Sequence, residues 1–457
     1  MSMGEDPAEE WRDVSGWAGT CHARCKVIRC QGVEESRTLL REDGPWLPRG
    51  GGCSYGDAAI LDQGRLLQLK PPSGDQILSA VPTPTDLESP SVSVSAAVTL
   101  RQLLPLLNRQ GLTLPVVPGV LDATVGGMLA ADVHGKNHLS RGSIGDVTVA
   151  LQVLLPSGEV IDCDRDREPE IFRGTIGGMG LTGVILEARL AVIPLLADRV
   201  EVQVLATKNL QESLAQLDRL AASEEHVAAW IDPTARGSEF GRGIVVGGTV
   251  VATDRVVRSN RSSWDLPRGN SFPAGFSWAL SPIGIRCHNA VRHALARIGR
   301  RQRSWELERL LFPLERWRDW KKIYQPDGFH QHQSLIPEDH CSGTIRELLE
   351  LSNRGRCPST LVVIKKMRKG AGGLSFGAEG MTLSMDFKAT AGVKEILHHC
   401  DSLVADVGGR VYLAKDSTLT PELLRRMYPQ VDQFLSLRNR IDPDRKLNSD
   451  LSRRLEI

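Results

Sequence analysis

A run of glycines constrains this chain more than any other feature. Between Trp46 and Asp57 the sequence reads Trp-Leu-Pro-Arg-Gly-Gly-Gly-Cys-Ser-Tyr-Gly-Asp, and Gly50, Gly51, Gly52 and Gly56 are too dense for a helix or a strand. Glycine reaches positive φ without a Cβ clash and lets a ligand approach the main chain, so successive N–H groups can converge on an anion such as a diphosphate. A plain surface turn is the competing reading of a glycine run taken alone. The stretch from Leu114 to His138 decides between them. Pro118-Gly119 and Gly126-Gly127 again lay bare main chain, and His134, Lys136, Asn137 and His138 crowd polar side chains beside it. Two such loops, far apart in the chain, imply a long ligand gripped from two sides.

The chain's 457 residues are too many for one core and fit two domains. Lys and Arg number 56 against 55 Asp and Glu. That balance gives no electrostatic argument for nucleic acid, and no basic tail steers the chain toward a membrane. No apolar run approaches the roughly 18 to 20 residues of a bilayer span, and Met1-Ser-Met-Gly-Glu-Asp lacks a basic region followed by an apolar stretch. A soluble, cytoplasmic protein is expected, in at most peripheral contact with a membrane. Nine cysteines are an odd number and fit reduced thiols. Cys21, Cys25 and Cys30 lack the paired spacing of a zinc site, so they read as small apolar residues on a first strand and no metal is expected.

Along the chain, Cys25 to Arg41 reads as a strand then a helix, placing the glycine loop between regular elements. Ser91 to Ala97 alternates as a half-buried strand. Thr99 caps a helix with Leu100, Leu103, Leu104 and Leu107 on one face and Gly111 beyond its end. Val147–Leu155 and Val160–Cys163 form a hairpin around Gly158, and Gly174 to Gly183 is a third glycine-rich loop. Residues 232 to 285, rich in Gly, Pro, Ser and Arg, read as long loops over a substrate cavity. Strands are expected at Gln331–Leu335, Thr360–Lys366 and Met381–Phe387. Helices are expected at Thr344–Asn353, at Val393–Val404 and after the Thr420-Pro421 cap.

The order of these parts resembles the vanillyl-alcohol-oxidase type of FAD-binding domain and, within it, the decaprenylphosphoryl-β-D-ribose 2-oxidase family. The resemblance runs from Gly16 onward. It is carried by Arg49-Gly50 with Ser54-Tyr55-Gly56-Asp57, by Pro118 through His138, by Gly177-Gly178-Met179-Gly180-Leu181-Thr182-Gly183 and by Gln331-His332-Gln333. Gly408 through Ser417 and the closing Ser449-Asp450 to Glu456 complete it. It implies an α+β fold: a two-part FAD-binding domain over 16–195, a substrate domain with an antiparallel sheet over 196–409, and a return to the FAD-binding domain over 410–457; ahead of it, the acidic and polar start of the chain reads as a disordered N-terminus over 1–15.

The resemblance also implies the site. FAD contacts are expected from Arg49, Gly50, Gly51, Gly52, Cys53, Ser54, Tyr55 and Gly56 in the first loop. In the second loop they are Pro118, Gly119, Thr124, Gly126, Gly127, Ala130, Ala131, Val133, His134, Gly135 and Asn137, with Gly183, Val184, Tyr412 and Lys415 beyond it. Lys415, Tyr55 and His134 are the catalytic candidates. Lys415 either takes the hydroxyl proton or stabilises developing charge, and His134 serves as base or as a structural clamp. Lys136, Gln331, Gln333, Lys365, Thr382 and Ser384 are the expected substrate contacts.

Three departures from the family pattern stand out. Cys53 replaces the histidine that carries flavin in covalent members of the superfamily, so FAD is expected to be non-covalent. Ser384 replaces a pocket cysteine, while Leu311 and Thr382 replace a tyrosine and an asparagine. The implied reaction is oxidation of the C2 hydroxyl of a polyprenylphosphoryl ribofuranose, completed to the arabinose epimer by a separate short-chain NAD(P)H-dependent reductase. Quinone or oxygen would take the electrons. A sugar-lactone or alditol oxidase acting on free sugars, and an inactive flavin-fold binding subunit, are the alternatives.

Overall fold

The computed structural model describes residues 11–73, 77–80, 90–251, 270–271, 276–354 and 358–457. Its architecture is α+β, built on three main sheets. The first joins β1 (Trp11–Ser15), β2 (His22–Cys30), β3 (Trp46–Pro48) and β4 (Arg65–Leu69) in the order β1-β2-β4-β3. β2 and β3 both run parallel to β4, with α1 (Gly32–Leu40) as the crossover between β2 and β3. Cys25 and Cys30 are buried on β2 as small core residues. Regular structure therefore begins ahead of the expected boundary at Gly16, because Trp11 to Ser15 finds a full antiparallel register along His22 to Lys26. Residues 1–10 of that expected disordered segment lie outside the described residues.

The second sheet is antiparallel. Its strands are β5 (Leu78–Ala80), β6 (Ser91–Ser95), β7 (Thr148–Leu154), β8 (Val160–Asp164) and β9 (Val184–Ala191), in the order β5-β6-β9-β7-β8. The alternation of Ser91 to Ser95 buries Val92 and Val94 completely. α2 (Leu100–Arg109) starts in a capping box, where the Thr99 side chain accepts from Gln102 N and the Gln102 side chain accepts from Thr99 N. Its four leucines enter the core. α3 (Val125–Ala130) follows, capped by Thr124.

The third sheet has eight strands, and every pairing in it is antiparallel. In chain order they are β10 (Arg199–Thr207), β11 (His226–Ile231), β12 (Gly243–Thr249), β13 (Gln302–Glu306), β14 (Phe329–Ile336), β15 (Leu361–Met367), β16 (Gly380–Lys388) and β17 (Arg410–Val411). The spatial order is β13-β10-β12-β11-β15-β16-β14-β17. α4 (Leu210–Ala221) packs its leucines onto β11 and β12, and α5 (Pro282–Ile298) precedes β13. α6 (Cys341–Ser352) and α7 (Val393–Asp406) cover one face of β14 and β16.

The expectation of loops throughout residues 232–285 needs correction. Ile244-Val245-Val246 forms the middle of β12, whose pairing on both sides with β10 and β11 overrides the glycines that flank it. Residues 252–269 and 272–275 of that stretch lie outside the described residues.

The chain then returns to its beginning. α8 (Pro421–Met427), α9 (Val431–Ile441) and α10 (Asp450–Leu455) follow β17. Thr420 caps α8 with Pro421 at its first turn. Trp46 N donates to Lys446 O at 2.8 Å, and Asn448 N donates to Trp46 O at 2.8 Å. Arg454 on α10 clamps Asp57 through two bonds of 2.8 Å and reaches Asp416 at 2.9 Å. The last ten residues are thereby tied both to the glycine loop and to the segment that carries Lys415. Among the described residues no helix is long and apolar enough to cross a membrane.

Candidate active site

The glycine loop closes one wall of an elongated cleft. Its two lobes, ≈ 290 Å³ and ≈ 410 Å³, share Pro48, Arg49, Gly50, Gly51, Thr124, Gly127, Ala130 and Gly180 along their boundary. One lobe runs over β4, β6 and β9 to Gln68, Ala96 and Ile185. The other runs to Tyr55, His134, Lys365, Gln333 and Lys415 at the third sheet.

The walls fit a dinucleotide. A Cβ on Gly50 would lie 2.1 Å from Thr124 Oγ1, and one on Gly51 would lie 2.2 Å from Asp122 O, so bare main chain is a steric requirement there. Gly52 has φ +63° and passes under the Arg49 guanidinium. Arg49 Nε is buried without a partner at the junction of the two lobes, an orphaned donor of the kind an anionic ligand satisfies. Arg49 to Ser54, Pro118, Gly119, Thr124, Gly127 and Ala130 would therefore hold the diphosphate and ribityl portion of FAD. Gly126, Gly183 and Val184 line the lobe at one end, and Ala131, Val133 and Tyr412 the lobe at the other.

The floor of the second lobe is one face of the third sheet. Side chains alternate along a strand, so Gln331 and Gln333 on β14 share a face, as do Thr382, Ser384 and Asp386 on β16. The register sets Gln331 opposite Asp386, Gln333 opposite Ser384 and Lys365 opposite Thr382. The other face belongs to the core: Leu383, Met385 and Phe387 are buried, and His332 bonds Asp401 of α7 at 3.0 Å.

Four groups define the electrostatics. Lys415 Nζ lies 3.1 Å from the centroid of the Tyr55 ring, and both side chains line the lobe. Burial lowers the Lys415 ammonium to about 7, against the opposing pull of the Asp386 carboxylate. Burial likewise lowers Lys365 to about 7, helped by Lys136, and Lys136 itself to about 8. Burial raises Asp386 to about 6, opposed by its hydrogen bond from Gln331 and by Lys415. Lys136 Nζ donates to Leu311 O at 3.0 Å and Lys365 Nζ to Gly135 O at 3.4 Å. Both side chains are thus held by main-chain carbonyls in the buried wall of the lobe.

His134 sits differently. Its Nε2 accepts from the Gln333 amide at 3.0 Å, and that amide also donates to Thr382 Oγ1 at 3.3 Å. This assigns the imidazole proton to Nδ1. The ring stacks on Phe376 at 5.6 Å. Burial, with Lys365 nearby, holds it well below the ordinary histidine range, so it stays neutral. Cys53 is also uncharged, because burial and Asp122 push its thiol up to about 11.

Six of the expected site residues stand behind the cleft instead of lining it. Gly56 packs against Asp416 O, where a Cβ would overlap the carbonyl, and Tyr55 N donates to Ala414 O at 2.9 Å. Asn137 donates to Pro115 O at 2.9 Å and, like Gly135, shapes the second loop from within. Gln331 bonds Asp386 and the Tyr55 hydroxyl, Thr382 is fully buried under Gln333, and Ser384 lies in the same sheet row. Sequence reasoning missed Asp386, Glu315 and the tryptophans at the rim. Trp17 and Trp320 line the lobe, Lys321 covers Trp17 at 4.1 Å, and Glu315 is fixed by Arg101 at 2.9 Å. Asp386 had a signal, since it continues the alternation of Thr382 and Ser384.

A glycine-walled dinucleotide cleft that ends at a depressed lysine defines an FAD-linked oxidoreductase. Comparison with known proteins agrees. An FAD binding domain model matches residues 27–164, and a D-arabinono-1,4-lactone oxidase model matches residues 380–455. The decaprenylphosphoryl-beta-D-ribose oxidase of Mycolicibacterium smegmatis is 30% identical over 100% of both chains. A Streptomyces coelicolor protein without an assigned function is 32% identical over 79% of this chain and 100% of its own. The D-arabinono-1,4-lactone oxidase of Yarrowia lipolytica is 27% identical over 32% of this chain and 27% of its own. The chain belongs to the decaprenylphosphoryl-β-D-ribose oxidase family of FAD-linked oxidases.

Proposed function

We propose that the protein oxidises the C2 hydroxyl of a polyprenylphosphoryl-β-D-ribofuranose to the 2-keto sugar. This is the first half of an epimerisation to the arabinose form for cell-envelope glycans. The full-length match to a relative named for that substrate supports the reading. One observation carries it: Lys415 Nζ stands over Tyr55, inside the lobe walled by the glycine loop.

Bound FAD supplies the two-electron, hydride-accepting chemistry that no side chain offers. The chain supplies the proton path and the grip. Lys415, close to half neutral at pH 7, takes the hydroxyl proton at Nζ. Ionised Asp386 then favours the ammonium that forms, and it positions Gln331 against the Tyr55 hydroxyl. Lys136 and Lys365 orient sugar hydroxyls and phosphate. His134, neutral and clamped by Gln333, shapes the wall and moves no proton. A short-chain reductase completes the epimerisation, and quinone or oxygen reoxidises the enzyme.

Anaerobic bleaching of the flavin band near about 450 nm tests the reading. Polyprenylphosphoryl ribose should bleach it and free aldonolactones should not. The lactone oxidase match over residues 380–455 supports a second reading, which the opposite result would select.

A further inference from the structure

The helix α5 is oriented against the usual rule. Ser281 caps it by accepting from Gly284 N, with Pro282 in its first turn, and the helix then runs to Ile298. Its inward stripe is Ile285, Asn289 and His293. Two of these are polar, and both are satisfied: Asn289 donates to Asp232 Oδ1 at 2.9 Å, and the His293 ring bonds Thr207 O at 2.9 Å. The outward stripe is the apolar one. Ile283 is 76% exposed, Val291 59%, Leu295 59% and Ile298 82%. At about 100° per residue these four, with the exposed Cys287, Ala290 and Ala294 between them, fall within about 140° of arc. An apolar face of this width turned to water marks an interaction surface.

Charge says what covers it. Arg286 and Arg297 border the face on one side and His288 and Arg292 on the other, and Arg300 and Arg301 follow its end. Between Asp265 and Glu306 the chain has no acidic residue. A second copy is a poor partner: two α5 helices paired antiparallel about a two-fold axis would set Arg286 of one chain against Arg297 of the other. An anionic bilayer matches both features, because an interfacial helix buries its apolar face in the acyl boundary while flanking arginines meet lipid phosphates. The helix also adjoins the site. Leu280, one residue before the cap, packs in the cluster that contains Tyr55, Tyr324 and Phe329.

We propose that α5 docks the protein in the plane of an anionic membrane surface, apolar face down. The surface is independent of which sugar is oxidised, since an enzyme acting on free sugars would carry it equally.

Co-sedimentation of the full-length, FAD-loaded protein with phosphatidylcholine vesicles, with and without phosphatidylglycerol, tests this in the absence of substrate. Binding should require phosphatidylglycerol and weaken with salt. The Ile283→Asp/Ile298→Asp variant should bind at least roughly tenfold more weakly, with flavin content and turnover of a soluble short-chain substrate unchanged. Both positions face solvent, so the fold should tolerate the change. The Arg286→Glu/Arg297→Glu variant keeps the apolar face and should lose the phosphatidylglycerol preference. Three results overturn the proposal: no sedimentation of the native protein with either vesicle, sedimentation of the aspartate variant equal to native, or a native dimer that the aspartate variant converts to monomer without vesicle binding.

Discussion

Lys415 as proton acceptor makes a prediction with a sign. The group titrates at about 7, so its neutral fraction is about one half at pH 7, about one tenth at pH 6 and about nine tenths at pH 8. If the neutral amine takes the proton, the rate of flavin reduction in single turnover falls roughly tenfold per unit below that pKa and levels off above it. If the ammonium acts by stabilising negative charge, the profile is inverted. Two substitutions separate the roles further. Lys415→Met should lower the rate by roughly 10²–10⁴-fold and remove the acid limb. Lys415→Arg keeps a cation that does not deprotonate, and it should be about as slow as the methionine variant. Asp386→Asn removes the carboxylate that favours the Lys415 ammonium, so the acid limb should move to lower pH while the plateau above it is retained. The assay is stopped-flow reduction from about pH 5 to about pH 9 with the substrate saturating at each point, roughly two units either side of the Lys415 value. An arginine variant as fast as native, or a native profile that falls only on the alkaline side, refutes the assignment.

Three further outcomes follow from the same contacts. Arg454→Met leaves the fully buried Asp416 without its counter-ion and breaks the bidentate grip on Asp57, so it should cost roughly 3–5 kcal/mol, read as a lowered midpoint in denaturant unfolding of the FAD-loaded protein. Gly51→Ala puts a Cβ 2.2 Å from Asp122 O in the wall shared by both lobes and should weaken FAD binding at least roughly tenfold in titrations of apoprotein. Cys53, held protonated by burial, should form no bond to flavin: acid precipitation should leave the yellow colour in the supernatant, and Cys53→Ala should keep FAD. A yellow pellet from native protein would contradict the last of these.

The parts of the site that sequence reveals are those in which one residue type has one physical reason to be present. Gly50 and Gly51 are legible because a Cβ has no room there, and Thr99 and Thr420 because a cap sits at a fixed offset from the helix it starts. Gln331 shows where that legibility ends. Spacing alone puts Gln331 and Gln333 on one face of β14, and nothing local distinguishes them. The register across β16 does: Gln331 meets Asp386 and turns away to serve Tyr55, whereas Gln333 reaches His134 and the cavity. Register is a long-range property set by pairing over dozens of intervening residues, so the roles of two identical side chains two positions apart diverge for a reason no window of sequence contains. The same holds for β12, where pairing on both edges outweighs the glycines that flank Ile244-Val245-Val246. α5 inverts the problem. Its pattern is amphipathic, yet the side that faces inward is chosen by two buried acceptors, Asp232 and the Thr207 carbonyl, which draw Asn289 and His293 down beside Ile285 and leave Ile283, Val291, Leu295 and Ile298 in water. A helix read alone would be turned the other way, because hydrophobic burial is the default and only the tertiary partners show that a hydrogen-bonded polar stripe has displaced it.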